Sequence, residues 1–346
     1  MLVLATVAGF VLYSASGMST ALLYRQGAAF CVGLAVMLAI AQFQPRFMER
    51  WVPAAYIGCL LLLVAVLLVG TEAKGAQRWL SIPGVMRFQP SEIMKLVMPM
   101  SVAWYLGRRN LPPGFKHICV CLLIILLPVV LVLKQPDLGT SLLVATAGLF
   151  GLLLAGLRWR YIIGVGVLLV PLAAAMWFFM LHAYQKRRIM TFMNPESDPL
   201  GAGWNIIQSK AAIGSGGVYG KGWLQGTQSH LDFLPEGHTD FIIAVLAEEF
   251  GLIGVCLLLV VYMLVIARGL YITLQAQDTF SKLLAGSITL TFFVYVLVNI
   301  GMVSGLLPVV GVPLPLISYG GTSLVTLLSG FGILMSIHTH RKWMAQ

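Results

Sequence analysis

The chain has 346 residues, of which 59% are hydrophobic and only 10% are charged, whereas soluble domains carry about 25% charged residues. Apolar runs of roughly 15 to 25 residues recur along its whole length, each close to the ~20 residues that cross a hydrocarbon core. This composition excludes a soluble enzyme and indicates a polytopic membrane protein. The net charge of +10 is expected to favour contact with anionic membrane lipids, and it does not require a nucleic-acid partner.

Backbone N–H and C=O groups inside lipid must be paired within their own segment, so each apolar run is predicted to be a helix. We predict an all-α fold with one transmembrane domain over residues 1–346 and about ten transmembrane helices. The first run would cover only ~22 Å at ~1.5 Å per residue, so we expect the native first helix to be longer. The predicted spans are 1–15, 22–43, 52–70, 91–107, 117–134, 138–156, 160–182, 239–268, 280–304 and 320–338.

Basic residues predict the orientation, because short cytoplasmic loops carry an excess of Lys and Arg. The loops after the even-numbered spans and the C-terminal tail are basic, which predicts that both termini are cytoplasmic. Of the twelve Asp and Glu residues, only Glu49 and Asp278 fall on that side, so chemistry is expected on the extracytoplasmic face. The basic residues of the cytoplasmic side are Arg46, Arg50, Arg108, Arg109, Lys116, Arg158, Arg160, Arg268, Lys282, Arg341 and Lys342.

The five cysteines lie within apolar runs and lack the spacing of metal ligands. We interpret them as small buried side chains. The six histidines are scattered along the chain as well. The sequence therefore predicts neither disulfides nor a structural metal site.

Two extracytoplasmic breaks carry ionisable residues. In RFQPSEIMK, Ser91 is a candidate N-cap, and Glu92 and Lys95 share a helical face. This pair is either a dipole-favoured acid with its partner or, because Lys95 lies deep in an apolar span, part of a polar cavity. In LKQPDLGTS, Lys134 either extends its amine to the membrane surface or belongs to a functional site. Asp137 either caps the next helix or belongs to the same functional site.

The longest outer segment, residues 183–237 between spans seven and eight, far exceeds the ~12–15 residues usual for unstructured connections. Its aromatic and β-branched residues and an amphipathic stretch from Trp204 to Ile213 favour order. We predict a large ordered extracytoplasmic loop that forms a partly re-entrant cap on the membrane surface. Its repeated glycines permit positive φ and a close approach to a ligand.

In HLDFLPEGHTDFIIAVLAEEFG, residues 230–251, a polar loop passes into an apolar helix with Asp240 at the junction. Asp240 is either an acid at the helix start, with Thr239 as N-cap, or a functional carboxylate at the level of the lipid headgroups. Further along, GLLPVVGVPLPLISYGGTS, residues 305–323, has three prolines. That stretch cannot be a regular helix and is expected to line a cavity.

These stretches, in order and over essentially the whole chain, resemble the SEDS family of bacterial cell-wall glycosyltransferases: KGAQRWL, RFQPSE, QPDLGTS, DPLGAGWNIIQSKAAIGSGG, LPEGHTDFI and PLPLISYGG. GVYGKGWLQGTQSHLDFLPEGHTDF and GLLPVVGVPLPL are similar to the branch that acts in cell elongation rather than in division. The resemblance implies an inner-membrane enzyme that polymerises lipid II into β-1,4-linked glycan strands and releases undecaprenyl pyrophosphate. It also implies that Asp240 is catalytic and that a class B penicillin-binding protein is the partner.

An inverting transfer needs one carboxylate as general base on the acceptor hydroxyl, opposite the leaving group, as in inverting glycosidases. Asp240 is the outer-face carboxylate best placed for this role. Burial under the loop would make it a stronger base, whereas the positive end of the helix would make it a weaker one.

The pyrophosphate needs cations for binding or for departure. Lys95, held by Glu92, ranks first, and Arg87 ranks second. The sequence neither requires nor excludes a divalent cation, Mg²⁺ or Mn²⁺, in this role. Glu248, about 12 Å along the helix from Asp240, is expected to contact another polar group. The candidate substrate-binding residues are Glu92, Lys95, Arg87, Arg78, Lys134, Asp137, Lys210, Lys221 and Glu248.

Two other classes of function fit parts of the sequence. A flippase for the same lipid-linked precursor would present charge near the midplane between internal repeats. Here the polar groups cluster toward one face, and no inverted repeat is evident. A scaffold that only recruits a penicillin-binding protein would leave Lys95 inside an apolar helix without a role. A glycosyltransferase accounts for more of the sequence than either alternative.

Overall fold

A computed structural model describes residues 1–73, 76–82, 86–158, 202–227 and 236–341, with isolated positions between 160 and 190. Within these residues the fold is mostly helical, and most of the helices coincide with predicted spans. The seventh predicted span, 160–182, and much of the predicted loop, 183–237, lie outside the described residues. The helices are α1 (Leu2–Ala15), α2 (Thr20–Gln42), α3 (Pro45–Val69), α4 (Pro90–Gly107), α5 (Phe115–Lys134), α6 (Leu138–Leu154), α7 (Ala202–Gly216), α8 (Ile242–Gln275), α9 (Thr279–Val303) and α10 (Gly321–Thr339).

Six of the described helices are long and apolar enough to cross a membrane: α2, α3, α5, α8, α9 and α10. Two shorter apolar helices, α1 and α6, accompany them. The chain is therefore a multi-pass membrane protein.

Two helices extend beyond their apolar segments. α3 begins at Pro45 rather than at residue 52, because proline at the first helical position is preset for the helix and needs no N–H partner. α8 continues to Gln275 rather than ending at 268. Hydropathy predicts which part of a helix suits lipid, but a helix continues until a cap or a backbone break ends it.

The prediction of an all-α fold was wrong in one respect. The connection between α3 and α4 forms a three-stranded antiparallel sheet in the order β1 (Thr71–Ala73), β2 (Ala76–Ile82) and β3 (Met86–Phe88). Leu80 pairs with Phe88 in this sheet. The segment lies outside the apolar runs, so its backbone groups can pair across strands rather than within a helix.

Close contacts divide the chain into two compact units. The first unit comprises Met1–Tyr24, Leu157–Tyr262 and Tyr295–Tyr319, and the second comprises Arg25–Gly156, Met263–Val294 and Gly320–Gln346. Asp240 belongs to the first unit, and the Glu92–Lys95 pair belongs to the second.

The second unit is built around α4, which packs against α3, α5, α6 and α10. Gly148 of α6 allows close packing, since a Cβ there would lie 3.1 Å from Met98 Sδ of α4. α4 starts at Pro90 with Gln89 as the N-cap residue. Ser91, predicted as the N-cap, lies instead in the first turn, because proline takes the first helical position.

The first unit contains a break in α8 at Gly251, whose φ is 65° and ψ is −164°. This backbone conformation is essentially restricted to glycine. The turn that follows α7, residues 217–222, crosses the break and pairs with the backbone groups that the break releases from the helix. Its hydrogen bonds are Leu252 N to Gly217 O (3.0 Å), Ile253 N to Val218 O (3.2 Å), Lys221 N to Glu248 O (3.0 Å) and Gly222 N to Glu249 O (3.0 Å).

The 217–222 turn lies directly against the backbone of α8. A Cβ on Gly220, which has a φ of 82°, would lie 2.6 Å from Gly251 N. The sequence predicted that glycines in this region permit positive φ, and this is confirmed for Gly220. The close approach that they permit in the structure is to the helix backbone.

We expect Gly251→Ala to destabilise the protein by about 1–3 kcal/mol, because the added Cβ forces a strained φ and lies 2.6 Å from the carbonyl carbon of Val218. Thermal unfolding of the purified protein in detergent, followed by tryptophan fluorescence, measures this. The matched control is Gly214→Ala in α7, where a Cβ meets nothing within 4 Å and alanine favours the helix. Equal unfolding temperatures for the two variants would contradict the assignment.

Candidate active site

Asp240 lies in a turn formed by residues 236–241, just before α8 begins at Ile242. Its side chain is partly exposed, whereas all residues from Phe241 to Glu249 are buried. The Thr239 hydroxyl donates to Glu236 Oε2 at 2.6 Å. Because α8 begins at Ile242, its N-cap position falls on Phe241 rather than on Thr239. Asp240 thus occupies a polar turn rather than the first turn of the helix.

Three successive backbone carbonyls hold this turn in place. The carbonyl of His238 accepts a hydrogen bond from the N–H of Tyr319 at 3.0 Å. The carbonyl of Thr239 accepts from the Ser318 hydroxyl at 2.5 Å. Next in sequence, the carbonyl of Asp240 accepts from the side-chain amide of Asn299 at 2.8 Å. Because all three carbonyls are bound, the backbone at Asp240 is fixed.

The carboxylate of Asp240 points toward the loop between α9 and α10, residues 305–319 (the 305–319 loop). A Cβ placed on Gly311 would lie 3.5 Å from Asp240 Oδ2. This proline-rich loop has no regular helix, as its sequence predicted. Its shape is held by the buried Tyr262 of α8, whose hydroxyl donates to Pro315 O at 2.7 Å. The loop therefore forms one wall beside the carboxylate.

Glu248 is fully buried and contacts Lys221 of the 217–222 turn, with 2.7 Å between Lys221 Nζ and Glu248 Oε1. Thr227 accepts from Lys221 Nζ at 2.7 Å and donates to the same carboxylate at 3.2 Å. The expectation that Glu248 contacts another polar group is confirmed. Its neighbour Glu249 accepts a hydrogen bond from the Ser14 hydroxyl of α1. The two acids therefore tie α8 to the 217–222 turn and to α1.

Lys210 is exposed on α7 and lies beside the start of the 305–319 loop. A Cβ on Gly305 would lie 2.7 Å from Lys210 Nζ. The preceding residue, Ser209, is fully buried and donates to Val303 O at 2.9 Å. α7, which belongs to the predicted extracytoplasmic loop, is thereby docked where the 305–319 loop begins.

In the second unit, Glu92 and Lys95 form a buried ion pair with 2.6 Å between Lys95 Nζ and Glu92 Oε1. The predicted pairing on one face of α4 is confirmed. The Ser91 hydroxyl and Glu92 Oε2 are also buried and have no hydrogen-bond partner within the described ranges. Buried polar atoms of this kind are normally satisfied by protein, water or a ligand. At this end of α4, the Ser91 hydroxyl can therefore donate a further hydrogen bond, and Glu92 Oε2 can accept one.

Asp137 is the N-cap of α6 and accepts from the backbone N–H of Thr140 at 3.1 Å. Gln89 also donates to its carboxylate, at 3.1 Å. Arg78 approaches Asp137 Oδ2 at 3.6 Å and donates to Pro136 O at 2.8 Å. The capping role considered for Asp137 is confirmed, and the cap also brings a guanidinium to the start of α6.

The remaining candidates are less fully defined. Lys134 is the last residue of α5 and is exposed. Arg87 belongs to β3, and its side chain lies outside the described residues. Over the described ranges, no group of three or more His, Cys, Asp and Glu residues could hold a metal ion. Within the first unit lie Asp240, Lys210, Lys221 and Glu248, and within the second lie Arg78, Glu92, Lys95, Lys134 and Asp137.

Sequence reasoning missed Asn299 and Ser318. Asn299 is fully buried near the end of α9, and Ser318 follows the last proline of the 305–319 loop. For Asn299 a signal was present, because it is a single amide within the apolar run VYVLVNIGMV. A polar side chain in a membrane segment usually bonds to another segment.

A family model described as a cell cycle protein, covering FtsW, RodA and SpoVE, matches residues 1–343. This chain belongs to that family. It is 55% identical to the peptidoglycan glycosyltransferase MrdB of Escherichia coli (strain K12), over 100% of this chain and 93% of that protein. It is 39% identical to the probable peptidoglycan glycosyltransferase FtsW of Geobacter metallireducens, over 92% of this chain and 85% of that protein. Of these two relatives, the chain is therefore more similar to MrdB than to FtsW.

Two solved structures match this chain over nearly its full length. A chain of a peptidoglycan synthase complex, studied for its coordination of polymerization and crosslinking, matches with a TM-score of 0.86 at 30% identity and covers 98% of this chain and 97% of that chain. The crystal structure of the rod shape determining protein RodA of Thermus thermophilus matches with a TM-score of 0.73 at 29% identity, with coverages of 99% and 96%. The fold is that of RodA.

We expect Lys95→Ala to lower the free energy of unfolding by about 3–5 kcal/mol, because it leaves the buried Glu92 charge without its partner. Chemical unfolding in detergent micelles measures the change. Lys282→Ala, which removes an exposed lysine from α9, is the matched control. The double variant Glu92→Leu with Lys95→Met should recover most of the loss, since neither charge then remains. A single variant as stable as the control would show that the pair is not a buried ion pair.

Proposed function

We infer that this chain is a peptidoglycan glycosyltransferase of the RodA type. The observation that carries this inference is a partly exposed carboxylate, Asp240, whose backbone carbonyl is bound by Asn299, in a chain 55% identical to a peptidoglycan glycosyltransferase. We propose that it polymerises lipid II into β-1,4-linked glycan strands during cell elongation and releases undecaprenyl pyrophosphate.

The proposed setting is the bacterial inner membrane. We propose one domain over residues 1–346 with ten membrane spans, cytoplasmic termini and a large extracytoplasmic loop over 183–237. The six long apolar helices and the basic loops on one side support this topology. In this topology α7 and the Asp240 turn are proposed to lie on the extracytoplasmic side, and the active site faces that side.

Asp240 is proposed as the general base. Its carboxylate takes the proton of the acceptor sugar hydroxyl while that oxygen forms a bond to the anomeric carbon of the donor. The bond from the anomeric carbon to the pyrophosphate breaks, and the pyrophosphate leaves with the electron pair. The acceptor attacks the face opposite the leaving group, which converts an α linkage to a β linkage. In inverting glycosidases a general base likewise activates the attacking group on that face. The fixed carbonyls around Asp240 support this role, because a base held in place loses little entropy on reaction.

The pyrophosphate carries negative charge that grows as it leaves, so cations that contact it stabilise the transition state. We propose Lys95 as the main cation, held in position by Glu92 at 2.6 Å. Of the others, Lys210 is exposed, whereas Lys221 is engaged by Glu248. A divalent cation, Mg²⁺ or Mn²⁺, in the same role stays a prediction. The further candidates for contact with substrate are Arg78, Arg87, Lys134 and Asp137.

We propose that a class B penicillin-binding protein is the partner that cross-links the product. The match to a chain from a peptidoglycan synthase complex that coordinates polymerization and crosslinking supports this. Anionic lipids are proposed to contact the basic cytoplasmic ends of the helices.

We expect Asp240→Asn to lower polymerisation by at least about 10²–10⁴-fold, because the isosteric amide cannot accept the proton. Purified protein with its partner is incubated with labelled lipid II, and glycan chains are separated on a gel. Asp278→Asn is the matched control, since Asp278 accepts from Ser281 N at 3.0 Å on the cytoplasmic side and asparagine caps helices as well.

Normal polymer from Asp240→Asn would exclude Asp240 as the base. Movement of lipid II across vesicles, with no polymer and no effect of Asp240→Asn, would instead identify a flippase.

A further inference from the structure

Asn299 bonds differently from three other buried polar residues of α9. Ser287, Thr289 and Thr291 each donate to a carbonyl four residues earlier in the same helix. Each of these bonds joins two residues of α9. Asn299 is also fully buried, but both bonds of its amide nitrogen leave the helix.

The amide nitrogen of Asn299 bridges two separate segments. It lies 2.8 Å from the carbonyl oxygen of Asp240 and 2.7 Å from the carbonyl oxygen of Val312. An amide NH₂ has two hydrogens, so each carbonyl receives one of them. Asn299 therefore sets the spacing between the Asp240 turn and the 305–319 loop.

The second carbonyl belongs to the part of the loop that faces the carboxylate. Val312 follows Gly311, and a Cβ on Gly311 would lie 3.5 Å from Asp240 Oδ2. One amide thus holds both the backbone of Asp240 and the wall beside its carboxylate. By contrast, Ser318 donates to the neighbouring residue Thr239.

We propose that Asn299 is a positioning residue that sets the orientation of the Asp240 carboxylate. This inference rests on the proposed function, in which Asp240 is the general base. Asn299 is fully buried and acts through Asp240. Its loss should therefore affect the turnover of bound substrate more than substrate binding. A displacement of about 1 Å in a reacting group lowers a rate by as much as ~10²-fold.

The test uses two substitutions at Asn299 in the full-length protein with its partner. Asn299→Leu keeps the branching at Cγ but has no donor, so the carbonyls of Asp240 and Val312 lose their partner. Asn299→Gln keeps both hydrogens on a side chain longer by one methylene, so it shifts the two segments while still pairing their carbonyls. We measure kcat and KM for labelled lipid II per folded enzyme, together with the unfolding temperature.

We expect both variants to lower kcat by about 10- to 100-fold while KM stays within about twofold. The control is Ser287→Ala, since Ser287 is equally buried on α9 but bonds only within its own helix; its kcat should match that of the wild type. If Asn299→Leu does not fold, Asn299→Gln decides the question, because it leaves no carbonyl unpaired.

An unchanged kcat in a folded Asn299 variant, or a rise in KM alone, would overturn the positioning role. If such an Asn299 result occurs while Asp240→Asn is inactive in the same assay, Asp240 remains the general base and only the role of Asn299 is rejected. If Asp240→Asn polymerises normally, the proposed function fails first, whatever the Asn299 variants do.

Discussion

Inside a bilayer an unpaired backbone N–H or C=O has no water to bind, and this constraint accounts for two irregular segments beside α8. The break in α8 at Gly251 is tolerated because the 217–222 turn supplies the missing partners. The same holds before α8, where Asn299, Ser318 and Tyr319 bind three successive carbonyls. In both places a second segment lies against the one that departs from a regular helix. Asp240, the candidate base, lies in one of these two segments, the turn whose carbonyls accept hydrogen bonds from a second segment.

Buried charge follows the same logic. Glu248 and Glu92 are both buried, and each has a lysine within 2.7 Å. An isolated charge at either position would shift its ionisation or unfold the segment. The Glu248–Lys221 pair spans two segments and anchors the 217–222 turn. The Glu92–Lys95 pair lies within one helix, and Glu92 Oε2 has no hydrogen-bond partner in the part of the chain that the structure describes. The first pair is therefore suited to holding structure, whereas the second retains capacity to bind a ligand.

The helices were largely predictable, because lipid allows few alternatives to a long apolar helix. The Glu92–Lys95 pair was predictable too, since residues three apart always share a helical face. The sheet between α3 and α4 was missed, because its strands are short and lie outside the apolar runs. Thr239 was considered as a helix cap, yet α8 begins only at Ile242, and the Thr239 hydroxyl donates to Glu236. Local patterns name a good capping residue, but they do not show which partner it finds.

The sequence by itself determined the membrane class, the position of most helices, and Asp240 as the candidate base. All of these depend on hydropathy or on residues close together in the chain. Only the tertiary structure decided that Asn299, 59 positions from Asp240, binds its carbonyl, and that Glu248 holds a lysine 27 positions away. A hydrogen bond tolerates changes of only a few tenths of an ångström in the distance between donor and acceptor. Such distances are set when the segments pack, and no single segment contains them.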